Sequence, residues 1–258
     1  MIIAVKPKIE IHAGLESLSL AAAEFVTRRA EQAVSSRGFF TIALSGGNTP
    51  RVLYEKLAAA PFKQNFPWRD SRFFWSDERF VAQDHPQSNF GMAAQAMLEK
   101  VPVDNNHVYP VPTGAGSVRQ AAGLYGKKLR QVFKNIENEY DTDYNRSVPR
   151  LDLVLLGLGA DGHTASLFPG SAALEVKKRW VVPVTAPAGY SPRERVSFTL
   201  GLINQAACVV FLASGREKSP VVKEILNEPG KAFERYPAAR VSPVDGELVW
   251  FVDREAVS

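Results

Sequence analysis

The sequence predicts an α/β fold in which an open, mostly parallel sheet carries helices on both faces. Strand-like and helix-like stretches alternate along the chain, which is typical of a sheet built from strand–helix–strand units. Residues 151–156 are apolar at every position except Asp152, as expected for a strand covered on both faces. Glycine-rich turns follow two of the strand-like stretches. Because ligands of open α/β sheets bind at the carboxyl ends of the strands, we expect the functional site there.

In the first half of the chain, apolar runs predict strands, and apolar residues spaced by three and four predict helices. Pro50 suits the first position of a helix and Thr49 the cap before it. Ser88 is a candidate cap for a later helix. These patterns predict strand 9–11, helix 15–36, strand 39–44, helix 50–59, strand 72–75, helix 89–98, short strand 108–109 and helix 118–135.

In the second half, the polar, acidic segment 137–149 contains few aliphatic residues and is predicted to be a solvated loop before the central strand. The remaining apolar runs predict strands, and turn residues mark their ends. In order, we expect strand 151–156, strand 180–184, loop 187–192, a further element at 195–199, strand 206–213, helix 219–226 and strand 248–252. No internal repeat interrupts the pattern, so we expect a single domain over residues 1–258.

The composition indicates a protein of a reducing compartment. A chain of 258 residues can bury a sizeable core without disulfides, and Cys208 lies in an apolar stretch where a buried, unreactive thiol is expected. We find neither a signal-peptide pattern nor an apolar run of about 18 residues. We therefore expect a cytoplasmic protein with no membrane partner.

The charge favours a small anionic ligand over nucleic acid. The net charge is +4, and the basic residues are scattered rather than gathered into a run. A mild positive balance attracts phosphorylated molecules, although ordinary solvated surface explains the same balance equally well. We expect a monomer with a small-molecule partner and no nucleic acid.

The first candidate site is the turn after strand 39–44, with the sequence SGGNTP. Its glycines and the following helix N-terminus would direct backbone N–H groups and the positive end of a helix dipole at an anion. The pattern is neither a Walker loop nor a Rossmann fingerprint, and a tight turn without a ligand remains the alternative. The candidate phosphate-binding residues are Ser45, Gly46, Gly47, Asn48 and Thr49.

The second candidate site, SDERFV, follows the aromatic strand 72–75. Arg79 could hold a phosphate or a carbonyl oxygen, and Asp77 could accept hydrogen bonds from sugar hydroxyls. A structural Asp–Arg pair is the alternative. His85 is expected to be exposed in a loop, and His12 and His107 have no motif context.

The third candidate site is the turn after strand 151–156, which has glycines at 157, 159 and 162 and presents Asp161 and His163. An imidazole that titrates near neutrality can take a proton from water, so His163 is the candidate general base. Asp161 would orient the ring or bind a substrate hydroxyl. We expect no metal, because no second His or Cys stands at ligand spacing.

Basic residues in two later segments could bind a ligand phosphate. The segments are PRERVSFT at 192–199 and SGREKS at 214–219. A plain solvated charge is the alternative for each residue. The candidate cations are Arg193, Arg195, Arg216 and Lys218.

Taken in order, these segments resemble the 6-phosphogluconolactonases of the glucosamine-6-phosphate isomerase/deaminase superfamily over essentially the whole chain. The landmarks are ALSGGNTP, WSDERFV, HPQSN, GLGADGHTASLFPG, RVSFT and SGREKS. The resemblance implies a three-layer α/β/α, Rossmann-like, NagB/RpiA-like fold with no dinucleotide or other cofactor. It also implies hydrolysis of 6-phospho-D-glucono-1,5-lactone to 6-phospho-D-gluconate in the oxidative pentose phosphate pathway.

The resemblance separates this reaction from amino-sugar chemistry. Related deaminases carry DGHIAFNEP, and their Glu, five residues after the His, is Phe168 here. Asp77 stands at the position of the deaminase base, so isomerase-like chemistry stays an alternative, as does a non-catalytic sugar-phosphate sensor. The combined hypothesis gives His163 the role of base and Arg79 that of stabilising the developing charge. Arg195 and Lys218 join residues 45–49 in holding the phosphate.

Overall fold

The computed structural model describes residues 5–140 and 148–258. Parallel strands form the main sheet, and helices flank it. The strands are β1 (Lys8–His12), β2 (Phe40–Leu44), β3 (Ser71–Trp75), β4 (Asp77–Arg79), β5 (Leu153–Gly157), β6 (Val181–Thr185), β7 (Glu194–Phe198), β8 (Cys208–Ala213) and β9 (Glu247–Asp253). The helices are α1 (Leu15–Arg37), α2 (Asn48–Leu57), α3 (Phe62–Asn65), α4 (Asn89–Ala96), α5 (Val118–Tyr140), α6 (Leu200–Ile203), α7 (Ser219–Asn227) and α8 (Pro229–Arg235).

The main sheet has the strand order β1-β9-β8-β5-β2-β3, and every neighbouring pair is parallel. From β2 the chain continues to β3 on one side, whereas β5 leads to β8 and β9 on the other. The direction of winding therefore reverses between β2 and β5. A crevice opens at such a switch point, at the carboxyl ends of the strands. The predicted α/β fold class is confirmed.

The central strands are apolar because both of their faces are covered. Every residue of β2 and β8 is buried, as is every residue of β5 except Gly157. Cys208 is fully buried in β8, and burial raises the pKa of its thiol to about 12. The prediction that Cys208 is buried is confirmed.

A second, antiparallel sheet with the order β4-β7-β6 was not predicted. The sequence placed residues 77–79 after the end of strand 72–75 without assigning them to a strand, and they form β4, which pairs with β7. The chain reaches this second sheet through Ser76, whose amide donates to Leu44 of β2 and whose carbonyl accepts from Phe198. The segment thus continues directly from β3 into β4.

Two predicted boundaries are wrong. Helix α2 begins at Asn48 with Gly47 as its cap, so Thr49 is inside the first turn rather than the cap. Pro50 is then the third helical residue, a position whose N–H has no helical partner in any case. Helix α5 continues to Tyr140, where we expected a loop from residue 137. The aromatic ring of Tyr140 packs on that of Phe39, with ring centroids 4.8 Å apart. This contact stabilises the last turn of the helix, which is therefore longer than predicted.

The other predicted elements are present with small shifts at their ends, except the short strand 108–109 and part of the loop 137–149. Predicted strand 108–109 is reduced to one bridge between Phe73 and Val108. The rest of the predicted loop, residues 141–147, lies outside the described residues. The short helices α3, α6 and α8 were not predicted. None of the helices in the described part of the chain is long and apolar enough to cross a membrane.

Candidate active site

A cavity of about 210 Å³ lies at the switch point between β2 and β5. It brings together most of the residues that the sequence singled out, from all five segments. Asn48, Thr49 and Asp161 do not line it, and neither do Arg193 and Arg216. The predicted residues that do line it are Ser45, Gly46, Gly47, Asp77, Arg79, His163, Arg195 and Lys218.

The turn after β2 forms one wall of the cavity. Gly47 has φ +105°, a left-handed conformation that L side chains rarely adopt, and it caps α2. The amide of Gly157, at the end of β5, donates to Ser45 Oγ at 3.2 Å and so joins the two turns. Asn48 turns away, because its side chain accepts from Arg51 at 2.7 Å. The turn thus offers glycine backbone at the N-terminus of a ten-residue helix.

The turn after β5 holds His163 through a chain of hydrogen bonds. Nδ1 of His163 lies 2.6 Å from Asp161 Oδ1. The other carboxylate oxygen of Asp161 accepts from the Tyr190 hydroxyl at 2.9 Å. Asp161 also accepts the backbone N–H of His163 at 3.1 Å. Asp161 thus contacts the ring at Nδ1, and it does not line the cavity.

The charges and hydrogen bonds around Asp161 determine which nitrogen of the His163 ring is free to accept a proton. Partial burial raises the pKa of Asp161, but its hydrogen bonds to His163, the charge of that ring and the Tyr190 hydroxyl outweigh burial and hold the pKa well below its ordinary value. The pKa of Tyr190 is raised to about 12, mainly by desolvation and by the hydrogen bond to Asp161. An ionised Asp161 only accepts hydrogen bonds. In neutral His163, Nδ1 thus carries the proton and Nε2 keeps the lone pair.

The imidazole is also fixed by packing. A Cβ at Gly159 would lie 2.0 Å from His163 Nδ1, so only glycine leaves room for the ring. The ring also packs against Phe168, with ring centroids 4.7 Å apart. Phe168 is buried. Phe168 is thus an apolar wall of the imidazole site.

Three cations face the cavity. Arg79 of β4 and Arg195 of β7 are direct cross-strand partners, an arrangement of like charges that is unfavourable unless an anion or acid offsets it. Burial lowers the pKa of Arg195, although nearby Asp77 opposes the shift. Lys218 precedes α7 and has one ion-pair partner among the described residues, Glu217 at 3.7 Å. The cavity is therefore suited to an anionic ligand.

The carboxylate of Asp77 has hydrogen-bond partners within the protein that the sequence did not indicate. It is buried; Oδ2 accepts the Ser166 hydroxyl at 2.6 Å, and Oδ1 accepts from the Asn89 amide at 3.4 Å. One carboxylate oxygen accepts up to two hydrogen bonds, so Asp77 still has capacity toward the cavity. Within residues 5–140 and 148–258, no cluster of three or more His, Cys, Asp or Glu residues could hold a metal ion.

Comparison with known proteins identifies the family to which this site belongs. A sequence model of the glucosamine-6-phosphate isomerases/6-phosphogluconolactonase family matches residues 14–250. The chain belongs to this family. The predicted resemblance is confirmed.

Members of the family resemble the chain over almost its whole length. A 6-phosphogluconolactonase from Synechocystis sp. is 40% identical over 250 residues, which are 97% of both chains. Another from Nostoc sp. is 36% identical over 252 residues, 98% of both. The solved 6-phosphogluconolactonase from Trypanosoma brucei is 32% identical, with a TM-score of 0.84 and 98% of each chain covered. The fold of the chain is therefore the family fold.

Sequence reasoning missed two residues of this candidate site, Tyr190 and Asn89. Tyr190 lies in the predicted loop 187–192 and reaches Asp161 across the turn, and no local pattern indicates that contact. Asn89 lines the cavity, although the sequence marked it only as part of the HPQSN landmark. Its place between a polar loop and a helix N-terminus was the one available signal.

Proposed function

We propose that this chain hydrolyses 6-phospho-D-glucono-1,5-lactone to 6-phospho-D-gluconate, in the oxidative pentose phosphate pathway, by general-base activation of water. The observation that carries the proposal is the Asp161–His163 pair, 2.6 Å between Oδ1 and Nδ1, beside a cavity lined by three cations. The names of its relatives from Synechocystis sp. and Trypanosoma brucei support the same reaction.

The substrate phosphate would bind at the turn after β2. Gly46 and Gly47 line the cavity at the N-terminus of α2, where backbone N–H groups and the helix dipole favour an anion. Arg195 and Lys218 line the same cavity and would add charge-assisted hydrogen bonds to phosphate oxygens. Asp77 would accept hydrogen bonds from sugar hydroxyls.

The chemical step would use the free nitrogen of His163. Because Asp161 accepts a hydrogen bond from the Nδ1–H group, Nε2 can remove a proton from water while the water oxygen bonds to the lactone carbonyl carbon. The carbonyl electrons move to its oxygen, and Arg79, which lines the cavity, would stabilise that oxyanion. Collapse of the intermediate breaks the bond to the ring oxygen. The imidazolium then returns its proton to that oxygen, and 6-phosphogluconate leaves.

The alternatives are less well supported. A deaminase or isomerase needs an acid that assists ring opening, and the corresponding residue is Phe168, packed against His163. A non-catalytic sensor would not need an imidazole whose free nitrogen is fixed by a carboxylate. The expectation that the protein is a monomer stays a prediction.

The test is a coupled assay in which the lactone is generated in situ and 6-phosphogluconate is followed with and without protein. δ-Lactones open unaided in water, so the background rate is subtracted. We expect catalysis well above that background and no ammonia from glucosamine 6-phosphate. A rate equal to the background, with ammonia or an isomerised sugar phosphate formed instead, would replace this proposal with deaminase or isomerase chemistry.

A further inference from the structure

Asn89, the first residue of α4, has an amide oxygen without a hydrogen-bond partner in the described part of the chain. The residue is 1% exposed, yet it lines the cavity. Its Nδ2 is engaged, because it donates to the backbone carbonyl of Asp77 at 2.9 Å and to that residue's Oδ1 at 3.4 Å. A buried acceptor without a donor costs free energy until one arrives.

The orientation of this amide is determined by its neighbours. Both groups next to Nδ2 are oxygens that only accept, so a flipped amide would set oxygen against oxygen. The oxygen of Asn89 therefore faces the other way, toward Gly46. A Cβ at Gly46 would lie only 1.9 Å from Oδ1. The unpartnered acceptor thus lies between the substrate-facing turn and Asp77, two groups that line the same cavity.

The backbone of Asn89 is held equally firmly. Its N–H donates to Glu78 Oε1 at 2.8 Å, and the N–H of Phe90 donates to Oε2 at 2.7 Å. The Ser88 hydroxyl also donates to Oε2 and accepts from Gly91 at the start of the helix. With its backbone and Nδ2 fixed, Asn89 cannot turn to find another donor within the protein.

We propose that Asn89 is a further substrate-binding residue, whose Oδ1 accepts a hydrogen bond from a hydroxyl of the bound sugar acid or lactone. This inference rests on the proposed function for the class of ligand. The missing partner must be a donor, and a phosphate ester dianion has only acceptors. Asn89 therefore recognises the polyol part of the ligand, whereas the cations recognise its phosphate.

Equilibrium binding separates this role from a purely structural one. Binding of 6-phosphogluconate and of sulfate, an anion without a donor, is measured by calorimetry for the wild type, Asn89→Ala and Asn89→Ser. We expect both variants to bind 6-phosphogluconate about ten-fold more weakly, because one hydrogen bond in a buried site is lost, and to bind sulfate within two-fold of wild type. Ser88→Ala is the matched control, since it alters the same helix start without lining the cavity; we expect it to leave both affinities within two-fold.

Two outcomes would overturn the inference. Equal weakening of sulfate and 6-phosphogluconate binding would mean that Asn89 only holds the Gly46 turn in place, and unchanged affinity for both would mean that it makes no contact. Thermal unfolding of each variant confirms that it is folded, and Asn89→Ser decides the question if the alanine variant unfolds. Binding does not require turnover, so a wild type that binds 6-phosphogluconate but fails the coupled assay would contradict the proposed function and not this inference.

Discussion

At the scale of single residues, the site depends on a chain of three side chains, Tyr190, Asp161 and His163. The middle carboxylate accepts from both neighbours and thereby determines which nitrogen of the ring is free. Aspartates behind catalytic imidazoles act in this way in hydrolases, where they fix the tautomer and stabilise the imidazolium. We therefore propose that Asp161 orients the base rather than binding a substrate hydroxyl.

Asp161→Asn should lower kcat about 10²- to 10⁴-fold with little change in KM, because the amide can donate to Nδ1 and favour the wrong tautomer. Tyr190→Phe, which keeps the carboxylate and removes one of its donors, should lower kcat much less. The measurement is the background-corrected coupled assay. A large rise in KM with unchanged kcat would instead assign Asp161 to substrate binding.

Lys218→Met should raise KM about ten-fold or more and leave kcat nearly unchanged, because the lost charge lines the cavity but is assigned to the phosphate rather than to the reacting carbonyl. Sulfate should inhibit this variant more weakly than wild type. Lys223→Met is the control, since Lys223 is exposed on α7, the helix that follows Lys218, and does not line the cavity. An unchanged KM in Lys218→Met would remove Lys218 from the phosphate site.

The sequence predicts the residues of this site where they stand beside glycines at strand ends. His163 and the turn at 45–47 are recognisable because a buried strand delivers each of them to the same edge. Tyr190 and Asn89 could not be assigned in this way. Their roles arise from contacts with residues 29 and 12 positions away along the chain, which no local spacing reports.

At the scale of elements, the antiparallel strand β4 determines how the cations are presented. Its register pairs Arg79 with Arg195, so the two arginines face the same way. The sequence could not predict this strand, because three charged residues show no apolar alternation. The parallel strands were predictable because they are buried on both faces and read as apolar runs.

Glu78 connects β4 to the start of α4 and gives this contact a pH dependence. Burial raises the pKa of Glu78 from 4.5 to about 7, although N–H groups of Asn89, Phe90 and Arg79 oppose the shift. A carboxyl with a raised pKa contributes stability that is fully present below pH 4.5 and is lost as the pH rises through about 7. The pKa of Asp161 is lowered, so its contribution to stability is lost only as the pH falls below the ordinary pKa of an aspartate. It therefore does not affect the range between pH 4.5 and 7.

As the pH rises from 4.5 to 7, the melting temperature of wild type should therefore decrease relative to that of Glu78→Gln. One pKa unit corresponds to about 1.4 kcal/mol, so we expect a difference of roughly 5–10 °C across the window for a protein of this size. Thermal unfolding monitored by circular dichroism over that range measures it. Glu55→Gln, which alters an exposed acid, should follow wild type, and parallel curves for wild type and Glu78→Gln would contradict the account.

At the scale of the whole molecule, the two sheets contribute different residues to the site. The parallel sheet brings the glycine turn after β2 and the His163 turn after β5 to one crevice. The antiparallel sheet adds the two arginines from the side. The general rule for open α/β sheets was enough to locate the crevice from the sequence, whereas the second sheet follows from tertiary pairing alone.

The central claim is that His163, held by Asp161, activates water against the lactone carbonyl. The most direct test compares wild type and His163→Ala in the coupled assay, after subtraction of spontaneous hydrolysis. We predict that kcat falls about 10²- to 10⁴-fold, while the affinity for 6-phosphogluconate, measured by calorimetry, changes by less than about three-fold. Near-normal turnover in His163→Ala would contradict the account.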